Sequence, residues 1–242
     1  MNYYLTDKTT NGFYTAVCEA YRDPLAYITS DETLQPSLLD TVRNVQTKEE
    51  TANRVKARIT EWDPSVTGDI FLLLRYEGND REQIAFGYLK TLIREKRPVR
   101  TMFSDKDAEK AISAMHKITL ETHRLTGFLR FTENEDGILY APISPDHDIL
   151  DLLMPHFEKR MGSTPFLIQD TKRGKIGIWN GTCHTFAKIA ISPSFVPSQN
   201  QDEWETLWKS YYRHVNIALR LHEKQMKAYM PVRYWTYLPE KN

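Results

Sequence analysis

Residues 127–181 read GFLRFTENEDGILYAPISPDHDILDLLMPHFEKRMGSTPFLIQDTKRGKIGIWNG, and this stretch decides the fold. Two β-prone runs, GFLRF and GILYAPI, flank the turn residues Asn134 to Gly137, the composition of a hairpin. SPDHD then opens a helical pattern with Asp146 as its N-cap candidate, and FLIQD and KIGIW flank a second turn carrying Lys172, Arg173 and Gly174. The order is ββαββ, which predicts an α+β protein: a central antiparallel sheet unit, flanking helices and a helical C-terminal lobe. Sequential strands usually neighbour one another, so Phe128 to Phe131, Ile138 to Ile143 and Phe166 to Ile168 are expected in one sheet, covered by the helix Asp148 to Met161.

Upstream, Tyr3 to Leu5 read as a short strand. Asn11 is placed to cap a helix with Phe13, Val17 and Ala20 on one face. Ser30 to Thr47 is polar and poorly periodic, and Lys48 to Trp62 is a charged helix stopped at Asp63 and Pro64. The run FLLLRY, inside Asp69 to Glu77, is too short for its period to separate helix from strand. Asp80 with Gln83 suits the start of a helix through Phe86, Leu89 and Ile93, and Pro98 ends it. Ser104 opens a further helix with Gly127 just beyond its end. Downstream, SPSFVPSQNQDEW reads as a connector to a last helix. The division expected is 1–98, 99–191 and 192–242, integrated in one globule.

With 242 residues the chain can bury a substantial core. Cys18 and Cys183, set in apolar or β-like surroundings without CxxC spacing, argue against a disulfide framework and a structural zinc site. No apolar run approaches the roughly 20 residues that cross a bilayer, and MNYYLTDKTT lacks the regions of a signal peptide. A soluble, cytoplasmic protein with no membrane partner is expected. The 32 basic and 32 acidic residues cancel overall, so any affinity for a polyanion must be local. Residues 204–242 carry that imbalance, with seven Lys/Arg against three Asp/Glu.

The candidate reacting groups sit at element ends, where sites are commonly built: His123, His147, Asp148, His156 and Asp170, with Arg160 one helical turn from His156. A histidine beside carboxylates and arginine suits proton transfer or phosphate recognition, but the spacing matches no HExxH or other metal signature. Asp146 and Asp148 also answer to plain helix capping and the helix dipole. Candidate polyanion contacts are Arg124, Arg130, Arg160, Lys172 and Arg173 around the sheet unit. On the last helix, Lys209, Arg213, Asn216, Arg220, Lys224 and Lys227 recur at three- and four-residue intervals as a basic ridge. Arg233 precedes Tyr234 and Trp235, residue types that stack on unpaired bases. The stripe Trp204, Leu207, Trp208, Tyr211, Val215, Ala218 and Leu219 reads as core rather than a stacking platform. With no GxGxxG, P-loop, GxSxG or iron–sulfur cysteine set, no cofactor is expected.

The phrases HRLTGFLRF, YAPISPDHDILDLLMPHFEKRM and FLIQDTKRG, with NGFYTAVCEAYRD near the start and MPVRYWTYLPE at the end, resemble a bacterial family of DNA-metabolism proteins of unknown biochemical activity. The likeness runs over nearly the whole chain in the same order. It implies a pathway rather than a reaction: such proteins are typically encoded beside a DNA-repair radical-SAM protein, and a similar region occurs fused to uracil-DNA glycosylase. One departure is YLKTLIREKRPVR, where the resemblance implies a glycine-containing turn. Three readings follow. The chain is a nucleic-acid-binding partner of a radical-SAM enzyme in DNA repair or modification, an enzyme acting on a damaged base or nucleotide through the His/Asp/Arg cluster, or a structural adaptor between proteins. Convergence of His123, His147, His156 and Asp170 in one cleft favours the enzyme, and their dispersal favours the binding module.

Overall fold

The computed structural model describes residues 1–134, 137–189, 201–215 and 223–241. They fall into two compact units, Met1–Thr119 and Leu120–Asn242. The sequence reading places boundaries at 98 and 191.

In the first unit, β1 (Asn2–Leu5), β2 (Ala26–Thr29) and β3 (Thr41–Asn44) form a parallel sheet in the order β2-β1-β3. The expected first strand and helix are both present. Strands β2 and β3 are too short and, in β3, too exposed to announce themselves by alternation. The helix α1 (Thr10–Ala20) is capped by Thr9, whose Oγ1 accepts from the Gly12 amide at 2.9 Å. Asn11 instead lies inside the first turn and accepts from Lys56 Nζ at 2.6 Å. Next come α2 (Glu49–Thr60), α3 (Val66–Leu73) and α4 (Arg81–Glu95). The first half of the ambiguous FLLLRY run, Phe71 to Leu73, belongs to α3, because Val66, Ile70 and Leu73 bury at i, i+4 and i+7, and Leu74 ends the helix. Asp80 makes no side-chain cap on α4, and Gln83 Oε1 accepts from the Ile28 amide at 3.1 Å, fastening α4 to β2. Phe13, Val17, Ile28, Ile70, Phe86 and Leu89 form the core.

A long helix, α5 (Lys106–Phe128), starts in the first unit and ends in the second. Its cap is Asp105 rather than Ser104: Oδ1 accepts from the amides of Asp107 at 3.1 Å and Ala108 at 2.9 Å. The helix runs through Gly127, and this corrects the strand expected at Phe128 to Phe131. Ile118, Leu125 and Leu129 bury at helical spacing, and the Leu129 amide still bonds to the Leu125 carbonyl at 3.0 Å. Phe131 then packs edge-on against Phe157 and Phe166 at 5.3 and 5.6 Å.

The second unit carries β4 (Thr132–Glu133), β5 (Leu139–Ile143), α6 (Leu150–Met161), β6 (Phe166–Asp170), β7 (Lys175–Trp179) and β8 (His184–Lys188), followed by α7 (Gln201–Val215), α8 (Glu223–Tyr229) and 3₁₀ turns at Val232–Tyr237 and Pro239–Lys241. The five strands form one sheet in the order β4-β5-β6-β7-β8. The α+β class and the ββαββ order hold. The sheet, however, is mixed: β5 and β6 run parallel, Leu139 opposite Phe166 and Ile143 opposite Asp170, while the other pairs are antiparallel. The helix between β5 and β6 returns the chain to the starting edge, which makes that pair parallel. α6 packs on β6 and β7 and buries Leu153, Met154 and Phe157, and Pro155 sits on its exposed side. No helix among the described residues is long and apolar enough to cross a membrane. Both cysteines are free and exposed.

Candidate functional site

The carboxyl ends of β5 and β6 lie side by side, and the loops leaving them, 144–149 and 171–174, hold His147, Asp148, Lys172 and Arg173, with Asp170 at the end of β6. In sheets with parallel strands, sites form outside such ends. Here a buried carboxylate organises each loop.

Glu121, from α5, is 3% exposed. It accepts from the amides of Asp146 and His147 at 2.9 and 2.8 Å and from the Tyr234 hydroxyl at 2.9 Å, with Arg233 Nη2 at 3.4 Å. Asp170 is 0% exposed. It accepts from the amides of Lys172 and Arg173 at 3.0 and 3.2 Å and from Arg173 Nη1 at 2.9 Å. Arg173 then crosses to the other loop, donating to the carbonyls of Pro145 at 3.2 Å and Asp146 at 2.5 Å, and Lys172 Nζ reaches the Asp146 carbonyl at 3.2 Å. Arg233 closes the network on Asp146 Oδ2 at 3.0 Å, and Lys175 pairs with Asp148.

The electrostatics follow. Burial, then the neighbouring Glu121 carboxylate, pushes the Tyr234 phenol upward and keeps it a neutral donor. Burial works against the Arg233 charge, but its bond to Tyr234 and the Asp146 and Glu121 carboxylates outweigh that and raise its pKa. Burial, then the neighbouring Tyr237, also raises Tyr140, whose hydroxyl donates to the buried Gln169 at 2.5 Å.

The sequence candidates divide accordingly. Asp148 pairs with Lys175 apart from this network, whereas His147, through its backbone amide, and Asp170, Lys172, Arg173 and Arg233 belong to it. His123 and His156 do not: both are exposed, neither bonds into it, and the His156 ring stands edge-on to Phe157 at 4.9 Å. One shared pocket of His123, His147, His156, Arg160 and Asp170 is therefore not formed, because His123, His156 and Arg160 face solvent while His147 and Asp170 are enclosed. Among the described residues no group of three or more His, Cys, Asp or Glu is placed to hold a metal.

Of the remaining basic candidates, Arg124 donates to the Ala228 carbonyl at 3.0 Å, and Arg130 pairs with Glu240 at 2.8 Å. Burial opposes the Glu240 charge, but backbone, Trp208 and Arg130 contacts outweigh it and hold its carboxyl below the usual range. Lys209 and Lys227 are neutralised along their own helices by Glu205 and Glu223 at 2.8 and 2.5 Å. Arg160 and Lys224 are exposed and form no ion pair among the described residues. The side chain of Arg213, and Asn216, Arg220, Ala218 and Leu219 entirely, lie outside the described residues. Trp235 is half-buried, donating to the Met230 carbonyl at 3.0 Å with Lys241 5.0 Å from its ring.

On α7 the expected core stripe is corrected at Leu207, Trp208 and Tyr211, while the side chains of Trp204 and Val215 lie outside the described residues. Leu207, Trp208 and Tyr211 are exposed, Trp208 by 38% and Tyr211 by 56%. Their two rings lie 5.7 Å apart and tilted, Arg130 stands 5.4 Å from the Trp208 ring, and Trp208 Nε1 donates to Glu240 at 2.9 Å. Helical spacing reports which residues share a face, and that face need not be covered. Sequence reasoning also missed Glu121, and it took Tyr234 for a stacking residue, whereas Tyr234 is 2% exposed and donates to Glu121. The available signal was a carboxylate on the apolar face of α5, between Ile118 and Leu125.

Fold and site together define an α+β protein whose mixed sheet carries, at its parallel strand ends, a network in which the buried carboxylates Glu121 and Asp170 meet backbone amides, Arg173 and Arg233. Residues 79–240 match the family described as a domain of unknown function, DUF4130, and the chain belongs to that family. Comparison with curated proteins gives no match.

Proposed function

We propose that this chain is a nucleic-acid-binding protein of DNA repair or modification, acting beside a radical-SAM enzyme and supplying a platform rather than reacting groups. The observation that carries the reading is the exposed Trp208–Tyr211 pair with Arg130 against it. Adjacent aromatic rings with a guanidinium offer stacking faces to unpaired bases whatever their sequence. The resemblance in sequence supplies the DNA context. The enzyme reading loses support because Asp170 is spent on two backbone amides and Arg173, Asp148 pairs with Lys175, and two of its histidines stand apart. Exposed Arg160 and Lys224 are available to phosphates, whereas Arg173 and Arg233 hold loops.

The test is fluorescence anisotropy with a labelled single-stranded oligonucleotide and its duplex over a salt series. Tyr211→Ala is expected to weaken single-strand binding about tenfold, within the roughly 1–3 kcal/mol of one stacked base, and duplex binding less. Arg160→Ala with Lys224→Ala should flatten the salt dependence by about one unit of slope per lost phosphate contact. Wild-type protein that binds neither form at low salt, alone or with its radical-SAM partner, refutes the proposal and leaves the adaptor reading in its place.

A further inference from the structure

Helices α1, α2 and α4 of the first unit leave a groove of about 350 Å³ between them. That lies within the range of small-molecule sites, roughly 300–1,000 Å³. Val17, Val55, Ile59 and Trp62 supply apolar wall, and Ile93 adds to it from α4. The polar lining is one-sided: Cys18, Tyr21, Arg54 and Arg58, with no carboxylate. The two arginines are not equivalent. Arg58 already pairs with Glu61 at 2.6 Å and lies 5.0 Å from the Trp62 ring. Arg54 reaches only the Cys18 thiol, Nη2 to Sγ at 3.9 Å, and forms no ion pair among the described residues. A guanidinium over an apolar floor, without a carboxylate to answer it, matches a ligand with an apolar body and an anionic end.

We propose that this groove binds a small apolar carboxylate, its chain or ring against Val17, Val55, Ile59 and Trp62 and its anionic head on Arg54. A neutral ligand of the same body gains the apolar contact alone, and a cationic one meets Arg54 and Arg58 unfavourably. Cys18 stands in the groove beside Arg54, so an occupant covers its thiol.

That thiol is the readout. In full-length protein carrying Cys183→Ser, the single remaining cysteine is titrated with a thiol reagent in the presence of octanoate, 1-octanol or octylammonium. Octanoate is expected to slow Cys18 labelling with a dissociation constant on the order of millimolar, as small apolar ligands reach. Octanol should bind about fivefold more weakly, the difference an exposed charge pair supplies, and octylammonium more weakly still. Arg54→Met should bring octanoate and octanol to within about twofold of each other while leaving octanol binding unchanged. Trp62 fluorescence, taken as the difference from Trp62→Phe, should titrate with the same constant. Equal protection by all three ligands, or a preference that survives Arg54→Met, overturns the assignment. So does protection that rises with protein concentration and no ligand, which gives the groove to a second copy of the chain.

Discussion

Glu121→Ala removes one side chain and strands three buried donors: the amides of Asp146 and His147 and the Tyr234 hydroxyl, held at 2.9, 2.8 and 2.9 Å. Each buried donor left unpaired costs about 1–3 kcal/mol, and partial water access at the Asp146 end reduces the sum to about 3–5 kcal/mol. For a chain of this length each kcal/mol moves the midpoint of thermal unfolding by about 2–4 °C, so the variant should melt about 10 °C below the parent. Glu121→Gln keeps one acceptor oxygen and turns an NH₂ group toward the other donors, which should cost about half as much. Tyr234→Phe alone removes one bond and costs about 1 kcal/mol. The double variant should lose less than the sum of Glu121→Ala and Tyr234→Phe, since the bond can be lost once only. Thermal unfolding followed by circular dichroism gives all four values. A Glu121→Ala midpoint within about 2 °C of the parent would falsify the claim that Glu121 fastens loop 144–149.

Asp105 answers to acid. Its bond from the Ala108 amide, then Arg94 and Thr91, hold its carboxyl at about 2 in the folded chain against an ordinary 3.8, despite some burial. The stabilisation is fully present above the ordinary value and is lost as pH falls through about 2. Asp105→Asn should flatten the acid limb of the stability–pH profile, and an unchanged limb counts against the cap. Gly181 has φ +92°, and a Cβ there would stand 2.5 Å from the Ser163 carbonyl oxygen, so Gly181→Ala should cost about 2 kcal/mol in denaturant unfolding. An unperturbed midpoint would show that the β7–β8 turn relaxes freely. Both thiols should react in the native protein at similar, rapid rates, as their exposure requires. One thiol that reacts only after denaturation would contradict it.

The elements legible in the sequence were those whose burial produces a period. α1 shows Phe13 and Val17 on one face, β5 and β6 are bounded by turn residues, and α2 ends at Thr60, within three residues of the expected stop at Asp63 and Pro64. What escaped depended on partners far along the chain. GFLRF is β-prone in composition, yet Leu129 completes the buried stripe begun by Ile118 and Leu125, and tertiary packing overrides the local preference. The mixed direction of the sheet follows from the α6 crossover, which the ββαββ order contains and strand composition does not. The site was half visible. Polar residues at element ends drew attention to His147, Asp148 and Asp170, but a sequence does not distinguish an aspartate that reacts from one that ties down two amides and an arginine. Glu121 and Tyr234 lie 113 residues apart and meet only through the fold.

The parallel β5–β6 pair also sets an order of assembly. β6 meets β7 across a turn, Asp170 opposite Lys175, whereas β5 meets β6 only after the whole of α6 has been enclosed, Leu139 opposite Phe166. Loop-closure entropy rises with the length enclosed, so the β6–β7 hairpin is the cheap nucleus and the β5–β6 junction the late step. Refolding protein sampled by pulsed hydrogen exchange should therefore protect β6 and β7 amides before those of β5, and the reverse order would refute the sequence of events. Loops 144–149 and 171–174 straddle that junction. Their shape is consequently among the last things the chain acquires, and partly folded molecules can hold most of the sheet while still lacking the surface those loops create.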